Sequence, residues 1–301
     1  MSDLLLPSGV DVAFGEIEGA LGRTGESRSS PRTALTATIV VTGPRDRLTQ
    51  AAEAVEGLED VGVRAVLICC GDSAAPSMRV AGHTVALDGI RSEYLNNAVA
   101  ALRLSSLPTL VWWRGGDVGN IEGLAALADR LVLDADDPRP VWESVEKFAA
   151  QTSVTDMRWT RLTRWRALMA HFFDIPEVQA AIPHFHSLRL EGSDEFVLRL
   201  FAGWVLSIVS SPDRLKFELI QTPGAAPIET VILGGEQELV LRVAPSRTCV
   251  ETAARVNQLS STSRIVSLGD QRLAALLGEE LRIRARDVAF ERAVIASRSL
   301  P

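Results

Sequence analysis

Residues 37–44 read Ala-Thr-Ile-Val-Val-Thr-Gly-Pro. A continuous β-branched run over Ala37–Val41, ending in Thr42-Gly43-Pro44, is the signature of a strand buried on both faces. The same pattern returns downstream. Val63–Cys70 is a second apolar run closed by Gly71-Asp72, Thr84–Leu87 is a third candidate, and Pro108–Trp113 ends at Arg114-Gly115-Gly116. Arg130–Leu133 is a further short strand. Between these runs lie stretches of helical spacing at Leu48–Glu56, Ser92–Leu104, Asn120–Ala128 and Val141–Ala150. Short apolar strands alternating with helices predict a mostly parallel sheet covered on both sides. Residues 36–152 are therefore expected to form a Rossmann-like α/β domain.

Working outward, residues 1–35 read as a leader, with a short amphipathic helix around Val12–Leu21 and a mobile Gly/Ser/Arg-rich loop from Gly22 to Arg32. Residues 153–301 carry a different rhythm. Met157–Phe173 predicts a helix with Asp156 as its N-cap. A strand over His186–Glu191 and a helix over Ser193–Ser210 follow. Strand-like runs at 215–221, 229–233, 238–243, 248–256 and 264–268 are separated by turn signals at Pro223-Gly224 and Gly234-Gly235. Helices over Asp270–Leu277 and Ile283–Ala296 close the chain. This half predicts an α+β domain with an antiparallel meander.

The 301 residues carry a formal net charge of −7. Residues 1–150 hold 13 Lys+Arg against 21 Asp+Glu, and residues 151–301 hold 18 against 17. An acidic first half and a balanced second half fit two units, and the absence of a basic excess disfavours generic nucleic-acid binding. Three cysteines, Cys69, Cys70 and Cys249, are too few for a disulfide-stapled secreted domain. The N-terminus lacks the basic flank of a signal peptide, and no apolar run reaches the roughly 18 residues of a membrane span. A cytoplasmic protein is the expectation.

Motifs for chemistry are sparse. Thr42-Gly43-Pro44-Arg45 after the first strand is neither Gly-x-Gly-x-x-Gly nor a Walker lysine loop, so no nicotinamide cofactor is expected there. Gly115-Gly116 can leave backbone space for a ligand or simply make a tight turn. Cys69-Cys70 reads as a redox pair or as buried small hydrophobes. His184-Phe185-His186 has the spacing of a metal pair on one strand face but lacks further ligands nearby. Asp134, Asp136 and Asp137 could hold a cation or serve a turn and helix start. No Gly-x-Ser-x-Gly elbow is present. No catalytic residues, metal or cofactor are expected.

The most distinctive stretch is Asp156-Met-Arg-Trp-Thr-Arg-Leu-Thr-Arg-Trp-Arg166. On a helix, Trp159, Leu162, Trp165 and Met169 recur at three- and four-residue steps, with Arg158 and Arg161 as a basic ridge and Arg164 turning away from it. Trp and Arg dominate protein–protein hot spots. The plainer reading is a core aromatic stripe with a solvated Arg face. Arg158 and Arg161 could also grip a phosphate.

Asp156-x-x-Trp159-x-Arg161-x-x-x-Trp165-Arg166, with Asp174 beyond it, resembles the hallmark segment of the OpcA family of glucose-6-phosphate dehydrogenase assembly proteins. Leu107-Pro-Thr-Leu-Val-Trp-Trp113, Asp129-Arg-Leu-Val-Leu-Asp134, Leu200-x-x-Gly203-Trp204-Val205 and Glu279-Glu-Leu-Arg282 through Phe290-Glu-Arg-Ala293 are similar to other landmarks of that family, in order, over roughly residues 35 to 295. The resemblance implies a non-catalytic activator that binds glucose-6-phosphate dehydrogenase and promotes its assembly, feeding the oxidative pentose phosphate pathway. Arg158, Trp159, Arg161, Arg164, Trp165 and Arg166 are the expected partner-binding residues. Two rival readings are a metabolite-sensing module for a nucleotide or sugar phosphate, and a sugar-phosphate enzyme with an Arg grip. The sequence leaves self-association open.

Overall fold

The computed structural model describes residues 5–17, 19–21, 34–58, 61–73, 76–209, 215–235, 237–255 and 264–300. The Gly22–Arg32 loop and the first four residues of the leader lie outside them. The chain forms two compact units, Met1–Met157 with Arg272–Asp287, and Arg158–Gln271 with Val288–Pro301. Residues 153–157 and the segment 272–287 thus belong with the first unit.

The first unit opens with β1 (Val10–Asp11) and a 3-10 turn at Phe14–Glu16, and residues 17 and 19–21 are helical, inside the stretch where the amphipathic helix was expected. Then come β2 (Ala37–Thr42), α1 (Arg45–Glu56), β3 (Val63–Cys70), β4 (Ser77–Ala81), β5 (Thr84–Ile90) and α2 (Leu95–Leu102). The second half of the unit holds β6 (Thr109–Trp113), α3 (Ile121–Leu127), β7 (Arg130–Leu133), the short α4 (Arg139–Trp142) and α5 (Val145–Ala149), and β8 (Ser153–Asp156). One eight-stranded sheet runs β1-β4-β5-β3-β2-β6-β7-β8. Strands β5-β3-β2-β6-β7-β8 are mutually parallel, while β1 and β4 add antiparallel at one edge. The chain builds outward from β2 through β3 to β5, then returns to the other side of β2 and builds β6, β7 and β8. This is the doubly wound Rossmann order, with its switch point between β2 and β6.

Burial explains the apolar runs. Every residue of β2 and of β6 is buried. Ile39, Val41, Leu67 and Trp112 pack on one face against Leu48, Ala51 and Val55 of α1. A later helix, Leu273–Arg282, brings Leu276 and Leu277 into the same core. That helix also delivers Glu280, whose carboxylate takes the Arg130 Nε–H at 2.5 Å while Arg130 Nη1 donates to Ser153 Oγ at 2.7 Å. At the β3–β5 pair the register shifts between Cys69 and Cys70, opposite Gly89. Gly89 has φ +79°, and a Cβ there would lie 2.6 Å from Ser73 Cβ, so the bulge requires glycine.

The second unit holds the end of α6 (Met157–Arg161), then α7 (Thr163–Phe173), α8 (Pro176–Ala181), β9 (Ser187–Gly192) and α9 (Glu195–Ile208). Strands β10 (Lys216–Gln221), β11 (Thr230–Gly234), β12 (Glu238–Val243), β13 (Cys249–Arg255) and β14 (Arg264–Ser267) follow. The helix at 273–282, now α10, and α11 (Val288–Ser297) close the chain. The helix expected over Met157–Phe173 is broken at Leu162. Asp156 ends β8 directly before α6, is fully buried, and accepts the Trp142 Nε1–H at 3.0 Å. The six-stranded sheet runs β10-β9-β11-β12-β13-β14. The expected meander is β11 to β14, all antiparallel, and β9 pairs antiparallel with β11 but parallel with β10. Leu188 and Leu190, Val231 and Leu233, Leu239 and Leu241, and Val250 alternate into one buried face. Helix α9 starts on Asp194, whose Oδ1 accepts the backbone N–H of Phe196 and Val197. It packs on α11 through Gly203, where a Cβ would lie 2.2 Å from the Ala293 carbonyl oxygen.

Candidate functional site

The six residues singled out on the Trp/Arg stretch separate into an inner and an outer set. Trp159 and Trp165 are each 2% exposed, and Arg158 is 9% exposed. The Trp159 ring lies 5.8 Å from Phe290 of α11, and the Arg166 guanidinium stacks 3.5 Å from the Trp159 centroid. Arg166 Nη2 also donates to the Trp159 carbonyl and the Thr163 hydroxyl. Arg158 sits over the Phe196 ring, with Nε 3.5 Å from the Asp194 carboxylate. Half-buried Arg161 donates to the Gln271 carbonyl at 3.1 Å. Of the six, only Arg164 is exposed. The hallmark residues therefore largely knit α6, α7, α9 and α11 of the second unit together. The Arg158/Arg161 pair does not present a phosphate grip, because each guanidinium has a partner within the unit.

The outer face of α7 carries Arg164, Ala167 and His171 at steps of three and four residues, all exposed. Arg264 of the edge strand β14 brings Nη1 to 3.4 Å from His171 Nε2, and its neighbour Ile265 is 67% exposed. A helix face bearing Arg164 thus continues onto β14, the last strand of this sheet among the described residues, which bears an apolar side chain.

The first unit holds a second feature that the sequence did not assemble. At the carboxyl ends of β2, β3 and β6 lies a cavity of about 350 Å³. Its lining includes Thr42, Cys70, Ser92, Asp117 and Asn120, with Leu95 and Trp113 as apolar walls and Gly115-Gly116 at the rim. This is the switch-point crevice, where doubly wound sheets bind ligands. The ends of β2 and β6 are tied by the Arg114 N–H donating to the Thr42 carbonyl at 2.8 Å. Gly115 and Gly116 take φ +127° and +114°, so the chain leaves β6 in a conformation that favours glycine. Asn120 donates from Nδ2 to Ser92 Oγ at 2.6 Å, and Ser92 Oγ in turn donates to Asp117 Oδ2 at 3.4 Å.

Beside the crevice, cations are matched by carboxylates. Arg114 stacks on Trp112 and donates from Nε to Asp134 at 2.8 Å; it also donates to the Arg47 carbonyl and to Gln50. Burial pushes the Arg114 pKa down, and Asp134 opposes that shift. Arg47 pairs with Asp134 and Asp136, and Arg45 with Asp88. Asp137 accepts the Arg139 N–H at the start of α4. The acidic cluster thus serves ion pairs and a helix start. Among the described residues no group of three His, Cys, Asp or Glu could hold a metal, and His184 and His186 stay outside any such group.

Both vicinal thiols are poorly suited to nucleophilic chemistry. Burial raises Cys69 to about 11, helped by Asp88, and burial followed by Asp117 raises Cys70. Such shifts keep the thiol protonated near neutral pH. No helix among the described residues is long and apolar enough to cross a membrane.

Residues 152–294 match the protein family described as the C-terminal domain of a glucose-6-phosphate dehydrogenase subunit. Three curated relatives are provisionally named OxPP cycle protein OpcA. The one from Synechocystis is 24% identical over 161 residues, 47% of this chain and 34% of that protein. The one from Nostoc punctiforme is 25% identical over 162 residues, 50% and 35% respectively. The one from Synechococcus elongatus is 24% identical over 187 residues, 58% and 42%. The chain therefore spans between about a third and two-fifths of the length of these relatives.

Proposed function

This chain belongs to the OpcA family, and from that premise we propose that it is a non-catalytic partner of glucose-6-phosphate dehydrogenase in the oxidative pentose phosphate pathway. The observation that carries the reading is the match of residues 152–294 to a domain described as part of such a dehydrogenase. The second unit supplies the docking surface. Arg164, Ala167 and His171 of α7, with Arg264 and Ile265 of β14, combine two arginines, a histidine, a small side chain and one exposed apolar side chain. Arg at a desolvated contact and an apolar neighbour are the usual anchors of an interface. Activation follows if the chain binds the assembled dehydrogenase more tightly than the unassembled form, since a ligand shifts an equilibrium only by its differential affinity. Trp159 and Trp165 act indirectly, by holding α7 in place.

The test is the activity of the same organism's dehydrogenase assayed with and without this chain, with a sizing run of the mixture. Co-elution with a rise in activity supports the proposal. Separate elution and unchanged activity, with both proteins folded, refute it.

A further inference from the structure

We propose that the crevice above β2 and β6 is a binding site for an uncharged small molecule bearing a vicinal diol, of monosaccharide or nucleoside size. This inference is independent of the dehydrogenase reading.

The volume, about 350 Å³, lies at the small end of the range for ligand sites. More telling are two buried polar side chains with unused hydrogen-bonding capacity. Thr42 is 2% exposed and lines the cavity, yet its hydroxyl makes no hydrogen bond to any described residue. Asn120 is 9% exposed; its Nδ2 is committed to Ser92, while Oδ1 accepts nothing among the described residues. Both residues line the open cavity and neither oxygen is sealed away from it, so a ligand or solvent can reach each of them. A carboxylate completes the set. Asp117 accepts from Gly119 N at 2.9 Å and from Ser92, and an ionised carboxylate has lone pairs for further O–H donors.

The charge balance selects against phosphorylated ligands. Arg114 is the one cation among the lining residues, and it is bound to Asp134, Gln50 and the Arg47 carbonyl. Asp117 and Asp136 add negative charge. The turn that would cradle a pyrophosphate is altered as well. Pro44 offers no N–H. Gly43 is pressed against β6, where a Cβ on it would lie 3.0 Å from Arg114 Cβ. Leu95 and Trp113 provide the apolar wall against which the ring of such a ligand can lie.

Calorimetric titration of the full chain with adenosine and with ribose tests the site, against adenosine 5′-monophosphate, ribose 5-phosphate and 3′-deoxyadenosine. We expect adenosine to bind, with the phosphorylated and the deoxy compounds at least tenfold weaker. Ribose binding as well places recognition in the sugar; adenosine binding alone adds the base. Thr42→Val keeps the shape and removes the hydroxyl, so it should weaken binding about 5- to 10-fold, the loss of one buried hydrogen bond. Its unliganded melt should match the parent chain. No binding of adenosine or ribose, tighter binding of the phosphates, or undiminished binding by Thr42→Val would each overturn the assignment.

Discussion

Replacing Trp159 by alanine separates a packing role for the hallmark segment from a direct contact role. The indole is 2% exposed, lies against Phe290 and is capped by Arg166. Truncating a buried Trp costs about 3–5 kcal/mol in lost transfer energy and residual cavity. Loss of the Arg166 stack adds about 1 kcal/mol, because that guanidinium is half-buried. For a unit of this size each kcal/mol lowers Tm by about 3–5 °C. Trp159→Ala should therefore melt about 12–30 °C below the parent chain in far-UV circular dichroism. Trp159→Phe, which retains a ring against Phe290, should lose less than half of that. A Trp159→Ala chain melting within 2 °C of the parent would refute the packing assignment. If that stable variant also failed to hold the dehydrogenase, the ring itself would be the contact.

Two other predictions concern the first unit. Arg130 and Glu280 form an ion pair with both side chains at most 5% exposed, so removing one partner leaves an uncompensated buried charge. Glu280→Ala should cost about 3–5 kcal/mol by urea denaturation, and the double replacement Arg130→Met/Glu280→Leu should recover most of it; equal losses would contradict a dry pair. Cys69 titrates at about 11 in the folded chain against an ordinary 9.0. The unfolded thiol therefore ionises first, so stability present below pH 9 is lost as the pH rises toward 11. Cys69→Ala should flatten that limb of the stability profile, and iodoacetamide should label Cys69 and Cys70 far more slowly at pH 7 than in urea.

The parallel sheet was readable because strands buried on both faces need continuous apolar runs, as in Ala37–Val41, Val63–Cys70 and Pro108–Trp113. Two other strands of the same sheet lack that signal. Residues 77–81 lie between the two-residue edge strand β1 and β5, with only Met78 and Val80 buried. Residues 153–156 are short and mostly polar; they are buried because Ser153 meets Arg130 and Asp156 meets Trp142. These partners lie 23 and 14 residues away, beyond any local pattern. The same limit governs the Trp/Arg stretch. Helical spacing grouped its residues, but Trp and Arg suit a core as well as a surface. What decides Arg158 is Asp194, the cap of a helix begun 36 residues later. In the crevice, Thr42, Ser92, Asp117 and Asn120 come from three separate strand-to-helix connections. Their position after β2, β5 and β6 was the available clue, once the strand order is known.

Sedimentation velocity of the same organism's glucose-6-phosphate dehydrogenase mixed with this chain, beside a mixture with Arg164→Glu, tests the central claim most directly. Arg164 is exposed, so the substitution should leave Tm within about 1 °C. We predict a faster-sedimenting complex with the parent chain and a clearly diminished one with Arg164→Glu. No complex with the parent chain would contradict the proposed function, and an undiminished complex with Arg164→Glu would remove the face of α7 from the interface.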